Sequence, residues 1–185
     1  MIAHIRLRSL AVAALLLAAP AHAQLVNENL LAGLPPGYKV DFQQKKDRQM
    51  ISEMVPVAEN VNAWTEMVTV QIFFGLKVPP DDFRARIEKL WGDSCPGSQF
   101  STVSKALENG YPALTWKQTC PLNKTTGKPE ITWMKAIGGN DSLYVVQKAF
   151  KFTPSDAQVA TWTDYLRSVA VCDTRRPDRA CPKGM

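Results

Sequence analysis

Alternation of apolar and polar side chains predicts most of the secondary structure. Tyr38, Val40 and Phe42 alternate with polar residues, and this period of two recurs along the chain, as expected for half-buried strands. The strongest run covers 64–74, where β-branched and aromatic residues accompany the alternation. The pattern predicts seven strands, at 38–43, 49–55, 64–74, 99–107, 111–120, 130–137 and 143–152.

Two segments change to helical spacing. Within 81–91, an apolar stripe with charged residues opposite predicts the first helix, which should stop at Gly92. The second helix should begin at Thr153, with Pro154 at its first position and Asp156 completing a capping box. Its apolar stripe contains Val159, Trp162, Leu166, Val169 and Ala170.

The predicted order of elements is β-β-β-α-β-β-β-β-α with short connections, which is typical of an α+β fold. We expect a curved antiparallel sheet with both helices packed on one face, or alternatively an open barrel plugged by the C-terminal helix. Residues 38–172 would form this single domain. An irregular lead-in, 24–37, would precede it, and a disulfide-clipped tail, 173–185, would follow.

Residues 1–23 have the pattern of a secretory signal. Arg6 and Arg8 precede the apolar run 10–19, and a small-residue cleavage site ends at Ala23. Ten apolar residues are too few for a spanning helix, which needs about 20. Cleavage before Gln24 would therefore release a chain with no transmembrane segment into the periplasm or the medium.

Signal removal would change the available chemistry, because both histidines, His4 and His22, lie before the cleavage site. The mature chain would lack the commonest general base and metal ligand. Loss of Arg6 and Arg8 also leaves 20 basic residues against 17 acidic ones, a net charge of +3. So mild an excess does not indicate a nucleic-acid partner.

Four cysteines in an exported chain predict two disulfides. Three pairings are possible. We favour Cys172 with Cys181, because they flank a short proline-containing segment, and this leaves Cys95 with Cys120. The alternative of a metal site or a reactive thiol has no CxxC spacing and no histidine to support it.

Candidate chemistry is limited to a few side chains. Glu66 lies on the apolar side of its predicted strand, where burial would raise its pKa as a catalytic acid requires, and Glu53 is a conceivable partner. The commoner role of such a glutamate is an ion pair with a neighbouring strand. Trp133 is the tryptophan whose strand has no clearly solvent-facing side, so we treat Trp133 and Glu66 as candidate binding residues. The sequence predicts no catalytic residue, metal site or cofactor.

Two stretches, 34–38 (LPPGY) and 62–70 (NAWTEMVTV), resemble small exported proteins of proteobacteria. The resemblance implies an envelope location and carries no site residue, because no activity is assigned to that group. The order of elements is also similar to that of PsbP-like exported proteins.

Three functions follow as hypotheses. The first is an exported, non-catalytic envelope module that binds a small ligand, a peptide or an unidentified envelope protein. The alternatives are a carboxylate-based glycan hydrolase, which needs two converging acids, and a secreted inhibitor, which needs a rigid exposed loop.

Overall fold

A computed structural model describes residues 25–182 of the chain; the predicted signal sequence and its cleavage site lie outside the described residues. Nine strands and two α-helices form, followed by a short 3-10 turn at Pro177–Arg179. The strands are β1 (Glu28–Leu31), β2 (Tyr38–Lys46), β3 (Gln49–Pro56), β4 (Glu66–Phe74), β5 (Gln99–Glu108), β6 (Tyr111–Asn123), β7 (Lys128–Gly138), β8 (Ser142–Phe150) and β9 (Ala170–Asp173). The helices are α1 (Pro80–Ser94) and α2 (Asp156–Ser168).

Seven strands form one open antiparallel sheet in the order β2-β3-β4-β8-β7-β6-β5. This confirms the predicted α+β class. The barrel alternative is wrong, because among the described residues β2 pairs only with β3 and β5 only with β6, which leaves the sheet open at two edges.

The two helices lie on opposite faces of this sheet, which corrects the prediction that they share one face. Phe83 of α1 packs in one apolar cluster with Trp116, whereas Trp162 of α2 packs in another with Trp133 and Tyr144. Because successive strand residues point to opposite faces, the central strands contribute to both clusters. The sheet is therefore the middle layer of three.

A second, two-stranded sheet joins the two ends of the described chain. β1 lies within 24–37, so the prediction of an irregular lead-in there is wrong, and it pairs antiparallel with β9. The stripe residue Ala170 belongs to β9 and not to α2. Glu28 of β1 holds the β7–β8 turn, because its carboxylate accepts hydrogen bonds from the backbone N–H groups of Asn140 and Asp141.

Both predicted disulfides are present. Cys95–Cys120 ties the end of α1 to β6, with the two Cα atoms 5.8 Å apart, and Cys172–Cys181 clips the tail to β9, with 4.8 Å between the Cα atoms. Two disulfides are typical of chains that fold in an oxidising compartment.

The helix ends differ from the predicted ones by a few residues. α1 continues through Gly92 to Ser94. α2 is capped by Ser155 and not by Thr153, because the Ser155 hydroxyl and the Gln158 side chain form the reciprocal capping box.

Candidate functional site

The most unusual buried group is Lys148 of β8, which lies between the sheet and α2. Its Nζ donates hydrogen bonds to the Tyr38 hydroxyl and to Glu66 Oε2, both at 2.6 Å. The same nitrogen lies 3.8 Å from the ring centroid of Trp162 and within 5 Å of the rings of Tyr38 and Phe150. Three aromatic rings and one carboxylate thus enclose the ammonium group, and we call this arrangement the lysine cage.

Burial and charge act against each other in the lysine cage. Burial lowers the pKa of Lys148 to about 8, even though the Glu66 carboxylate favours the charged form. Burial, followed by the hydrogen bond to Glu66, raises the pKa of Tyr38. The Lys148 side chain is 0% exposed and that of Glu66 is 21% exposed, so only the carboxylate keeps access to water. The cage therefore holds its own cation and has no room for a second one.

A second buried lysine, Lys135 of β7, caps the end of α2. Its Nζ donates to the carbonyls of Leu166 and Val169, at 2.9 and 2.7 Å, and pairs with Glu108 at 3.0 Å. An ammonium group has three donors, and these three partners use all of them. The adjacent cleft of about 90 Å³ therefore offers no free cation from Lys135 to a ligand.

The predicted acid pair does not converge. Glu53 faces Thr69 in the register of β3 and β4, and Thr69 is an odd-numbered residue on the α1 side of the sheet. Glu66 lies on the α2 side, where it pairs with Lys148. Burial raises the pKa of Glu53, but its side chain and that of Glu66 point to opposite faces. A two-carboxylate site cannot form from these residues.

Trp133 does not present an open ring. It is 7% exposed, stacks edge to face on Phe150 at 5.9 Å, and has Lys117 Nζ 5.1 Å from its ring centroid. The reason is that α2 covers this face of the sheet, which the alternation within β7 alone does not reveal.

The α1 side of the sheet has a groove with an apolar helical wall and several polar groups, which we call the α1 groove. It lies beside the Cys95–Cys120 disulfide and has a volume of about 440 Å³. Ile87, Leu90 and Trp91 form its helical wall, and Gln147 of β8 lies on the sheet side. Leu90 is 60% exposed. An exposed leucine beside a partly exposed tryptophan leaves apolar surface in contact with water.

Four of the nine residues that line the α1 groove are polar: Ser94, Asn123, Glu130 and Gln147. Glu130 of β7 is held at the groove by Asn123, whose Nδ2 donates to Glu130 Oε2 at 2.9 Å. Gln147 adds a half-buried carboxamide. A concavity that combines apolar side chains with a few fixed polar groups is typical of small-molecule sites.

Within the described chain, 25–182, no three histidine, cysteine, aspartate or glutamate side chains lie close enough together to hold a metal ion. None of the helices in that range is long and apolar enough to cross a membrane.

Comparison with known proteins gives structural similarities only; no protein family and no curated protein matches the chain. The Saccharomyces cerevisiae Ran-binding protein Mog1p is 12% identical over 77% of this chain and 87% of its own, with a TM-score of 0.43. Cyanobacterial PsbP from Synechocystis is 11% identical over 85% of this chain and 98% of its own, with a TM-score of 0.48. LpqN, involved in cell envelope biogenesis of Mycobacterium tuberculosis, is 11% identical over 81% of this chain and 87% of its own, with a TM-score of 0.38.

Proposed function

We propose that the chain is an exported, non-catalytic binding module that takes a small apolar ligand in the α1 groove. The observation that carries this proposal is the groove itself, because its volume of about 440 Å³ lies within the usual range of ligand sites, about 300–1,000 Å³. Ile87, Leu90 and Trp91 would contact the apolar part of the ligand, and Glu130 would accept a hydrogen bond from its hydroxyl, amide or amine group.

The groove is anchored well enough to keep its shape without a ligand. The Cys95–Cys120 disulfide joins the end of α1 to β6, and Phe83 fixes the start of the helix against Trp116 and Phe73. A wall held at both ends loses little conformational freedom when a ligand binds, which favours affinity.

Support for a carboxylate hydrolase is weaker, because Glu53 and Glu66 lie on opposite faces and Glu66 is already paired with Lys148. The non-catalytic function therefore remains the one that we propose.

Fluorescence titration with the neutral apolar probe N-phenyl-1-naphthylamine tests the groove. We expect saturable binding of one probe per mature chain, with a Kd on the order of 100 μM or tighter for a ligand of this size. Leu90→Asp should weaken it at least about tenfold, since a carboxylate would have to be desolvated beside the probe. Val57→Asp is the matched control, because Val57 is 64% exposed and lies outside the groove.

Equal binding by wild type, Leu90→Asp and Val57→Asp would contradict the proposal, as would binding that does not saturate. Both variants should keep the wild-type unfolding temperature, because each replaces an exposed side chain.

Export is tested separately. Mass spectrometry of protein recovered from the periplasm or the medium should find Gln24, or its cyclised form, at the N-terminus. Recovery of the intact chain beginning at Met1 would contradict export.

A secreted inhibitor is the second candidate function, and the loop 57–65 is the observation that favours it. Glu59 accepts the backbone N–H of Thr65 at 2.7 Å, and Asp41 accepts that of Val61 at 2.8 Å, so the exposed loop is braced on both sides. If this loop inhibits a protease, it should remain uncleaved during incubation with that protease, and Asp41→Ala should convert it to a substrate. Rapid cleavage of the wild-type loop by every protease tested would contradict inhibition.

A further inference from the structure

The end of the β2–β3 hairpin combines a concavity of mixed polarity with exposed cations. Phe42, Ile51 and Phe73 form the apolar part of a concavity of about 570 Å³ on the α1 side, and its polar lining consists of Gln44, Lys46, Asp47, Arg48 and Gln49. Strand register explains this grouping, because Ile51 faces Gln44 on β2 and a one-residue shift beyond Val40 turns Phe42 to the same side. We call Phe42, Lys45, Lys46, Arg48, Ile51 and Phe73 the hairpin surface.

The three cations of the hairpin surface outnumber the single carboxylate between them, so the turn carries a net charge of +2. Lys45, Lys46 and Arg48 occupy three of four consecutive positions, with Asp47 the fourth. Among residues 25–182, no carboxylate lies within 4.0 Å of any of these three cations. The tail arginines differ in this respect, since Arg175 and Arg176 are paired with aspartates.

One of these cations, Lys45, lies over an aromatic ring on the α2 side of the hairpin. Lys45 Nζ is 5.0 Å from the ring centroid of Phe74, and Phe42 and Phe73 remain partly exposed on the other side of the hairpin. Cations at a turn with accessible aromatic side chains on both faces of the hairpin are suited to a bilayer interface, where ammonium and guanidinium groups meet phosphates and rings enter the headgroup layer.

We propose that the hairpin surface docks on an anionic lipid bilayer. We propose a bilayer because the three unpaired cations are complementary in charge to a surface of closely spaced phosphates. Phe42, Ile51 and Phe73 would enter the headgroup layer beside these phosphates. This surface is distinct from the α1 groove, so the two proposals can fail independently.

Vesicle co-sedimentation of the mature chain tests the proposal. We expect binding to vesicles of equimolar phosphatidylglycerol and phosphatidylcholine at low salt, weakening as salt screens the charges, and no binding to pure phosphatidylcholine. The triple variant Lys45→Gln, Lys46→Gln, Arg48→Gln should lose about 100-fold in affinity, since each cation near an anionic surface contributes about one factor of five.

The matched control is the triple variant Lys89→Gln, Lys124→Gln, Lys128→Gln. It removes the same charge from exposed positions that also have no carboxylate within 4.0 Å in the described chain, and two of them flank the β6–β7 turn at the opposite end of the sheet. The control should retain affinity within about threefold.

Several results would overturn the proposal: no binding to anionic vesicles, equal binding to phosphatidylcholine, or equal losses in the two triple variants. Binding of inositol hexakisphosphate, a soluble polyanion, is measured in parallel. Binding of that polyanion without binding to vesicles would assign the cations to a free phosphate ligand and would also refute the bilayer.

Discussion

The lysine cage makes a sharp prediction about the asymmetry of a buried ion pair. Glu66→Gln would leave the Lys148 ammonium inside the protein with a neutral partner, whereas Lys148→Met would leave the Glu66 carboxylate with access to solvent. Breaking a buried pair by removing one charge typically costs about 3–5 kcal/mol, but replacing the buried charge by an apolar group of similar volume is often close to neutral. We therefore expect Glu66→Gln to lower the free energy of unfolding by about 3 kcal/mol, and Lys148→Met to change it by less than about 1 kcal/mol.

The lowered pKa of Lys148 supports the expectation that Glu66→Gln destabilises the protein more than Lys148→Met does. A fall from 10.5 to about 8 corresponds to about 3 kcal/mol, by which the folded protein disfavours the charged lysine relative to the unfolded chain. The pair with Glu66 therefore offsets only part of the desolvation cost. A methionine side chain among Tyr38, Phe150 and Trp162 would avoid that cost and keep the aromatic contacts.

The sign of the pH dependence follows from the same shift. Between pH 8 and 10 the unfolded chain holds a proton on Lys148 that the folded chain has released, so the contribution of Lys148 to the free energy of unfolding should rise with pH, by at most about 1.4 kcal/mol per pH unit. Burial lowers the pKa of Lys135 as well, so it contributes with the same sign. Tyrosines whose pKa burial raises, such as Tyr38, contribute with the opposite sign as the pH approaches 10. The difference between wild type and Lys148→Met isolates the contribution of Lys148.

Urea denaturation followed by tryptophan fluorescence measures these quantities. In a Lys148→Met background, Glu66→Gln should cost less than about 1 kcal/mol, which gives a coupling energy of about 2 kcal/mol. If Glu66→Gln costs the same with and without Lys148, the pair carries no coupling and the reasoning is refuted. A flat pH profile of the difference between pH 8 and 10 would refute the lowered pKa.

Three further predictions concern stability. Gly139→Ala should destabilise by about 2 kcal/mol, because its Cβ would overlap the Glu28 carboxylate, whereas Gly33→Ala, with open space around it, should change stability by less than about 0.5 kcal/mol in the same urea assay. Double serine substitution should lower the free energy of unfolding by about 3.5 kcal/mol for Cys95–Cys120 and by about 2.6 kcal/mol for Cys172–Cys181, because the first disulfide closes the longer loop. A larger loss for Cys172–Cys181 in urea denaturation would contradict this. Arg175 lowers the pKa of Asp173 to about 2, so wild type should lose stability as the pH falls from about 4 through 2, and Asp173→Asn should lose less over that range in acid titrations.

The seven strands of the large sheet could be predicted because their alternation is set by local sequence, but the short strands β1 and β9 and the placement of the helices could not. In β7, one set of alternate residues contains Ile131 and Ile137, and the other contains Met134 and Ala136, so both sides are apolar. Apolar residues on both sides of a strand indicate a sheet that is covered on both faces. Which helix covers which face depends on the path of the chain between them, and local periodicity does not encode it.

The candidate site shows the same limit. Lys148 lies between Val146 and Phe150 on an apolar face, so its position could have been flagged as buried. Its partner Glu66 is fixed by the pairing of β4 with β8 across 82 residues, and the third wall, Trp162, comes from α2. The α1 groove forms because of where α1 lies over the sheet, which the sequence does not reveal. The part of it that the sequence indicates is the apolar stripe of α1, which includes Leu90 and Trp91.

Nuclear magnetic resonance mapping of the ligand site tests the central claim most directly. Titration of the isotopically labelled mature chain with N-phenyl-1-naphthylamine should shift the amide signals of Ile87, Leu90, Trp91 and Gln147, which line the α1 groove, and leave those of the hairpin surface unchanged. Shifts confined to residues outside the α1 groove, or no saturable shift at all, would contradict a binding module with its site beside α1.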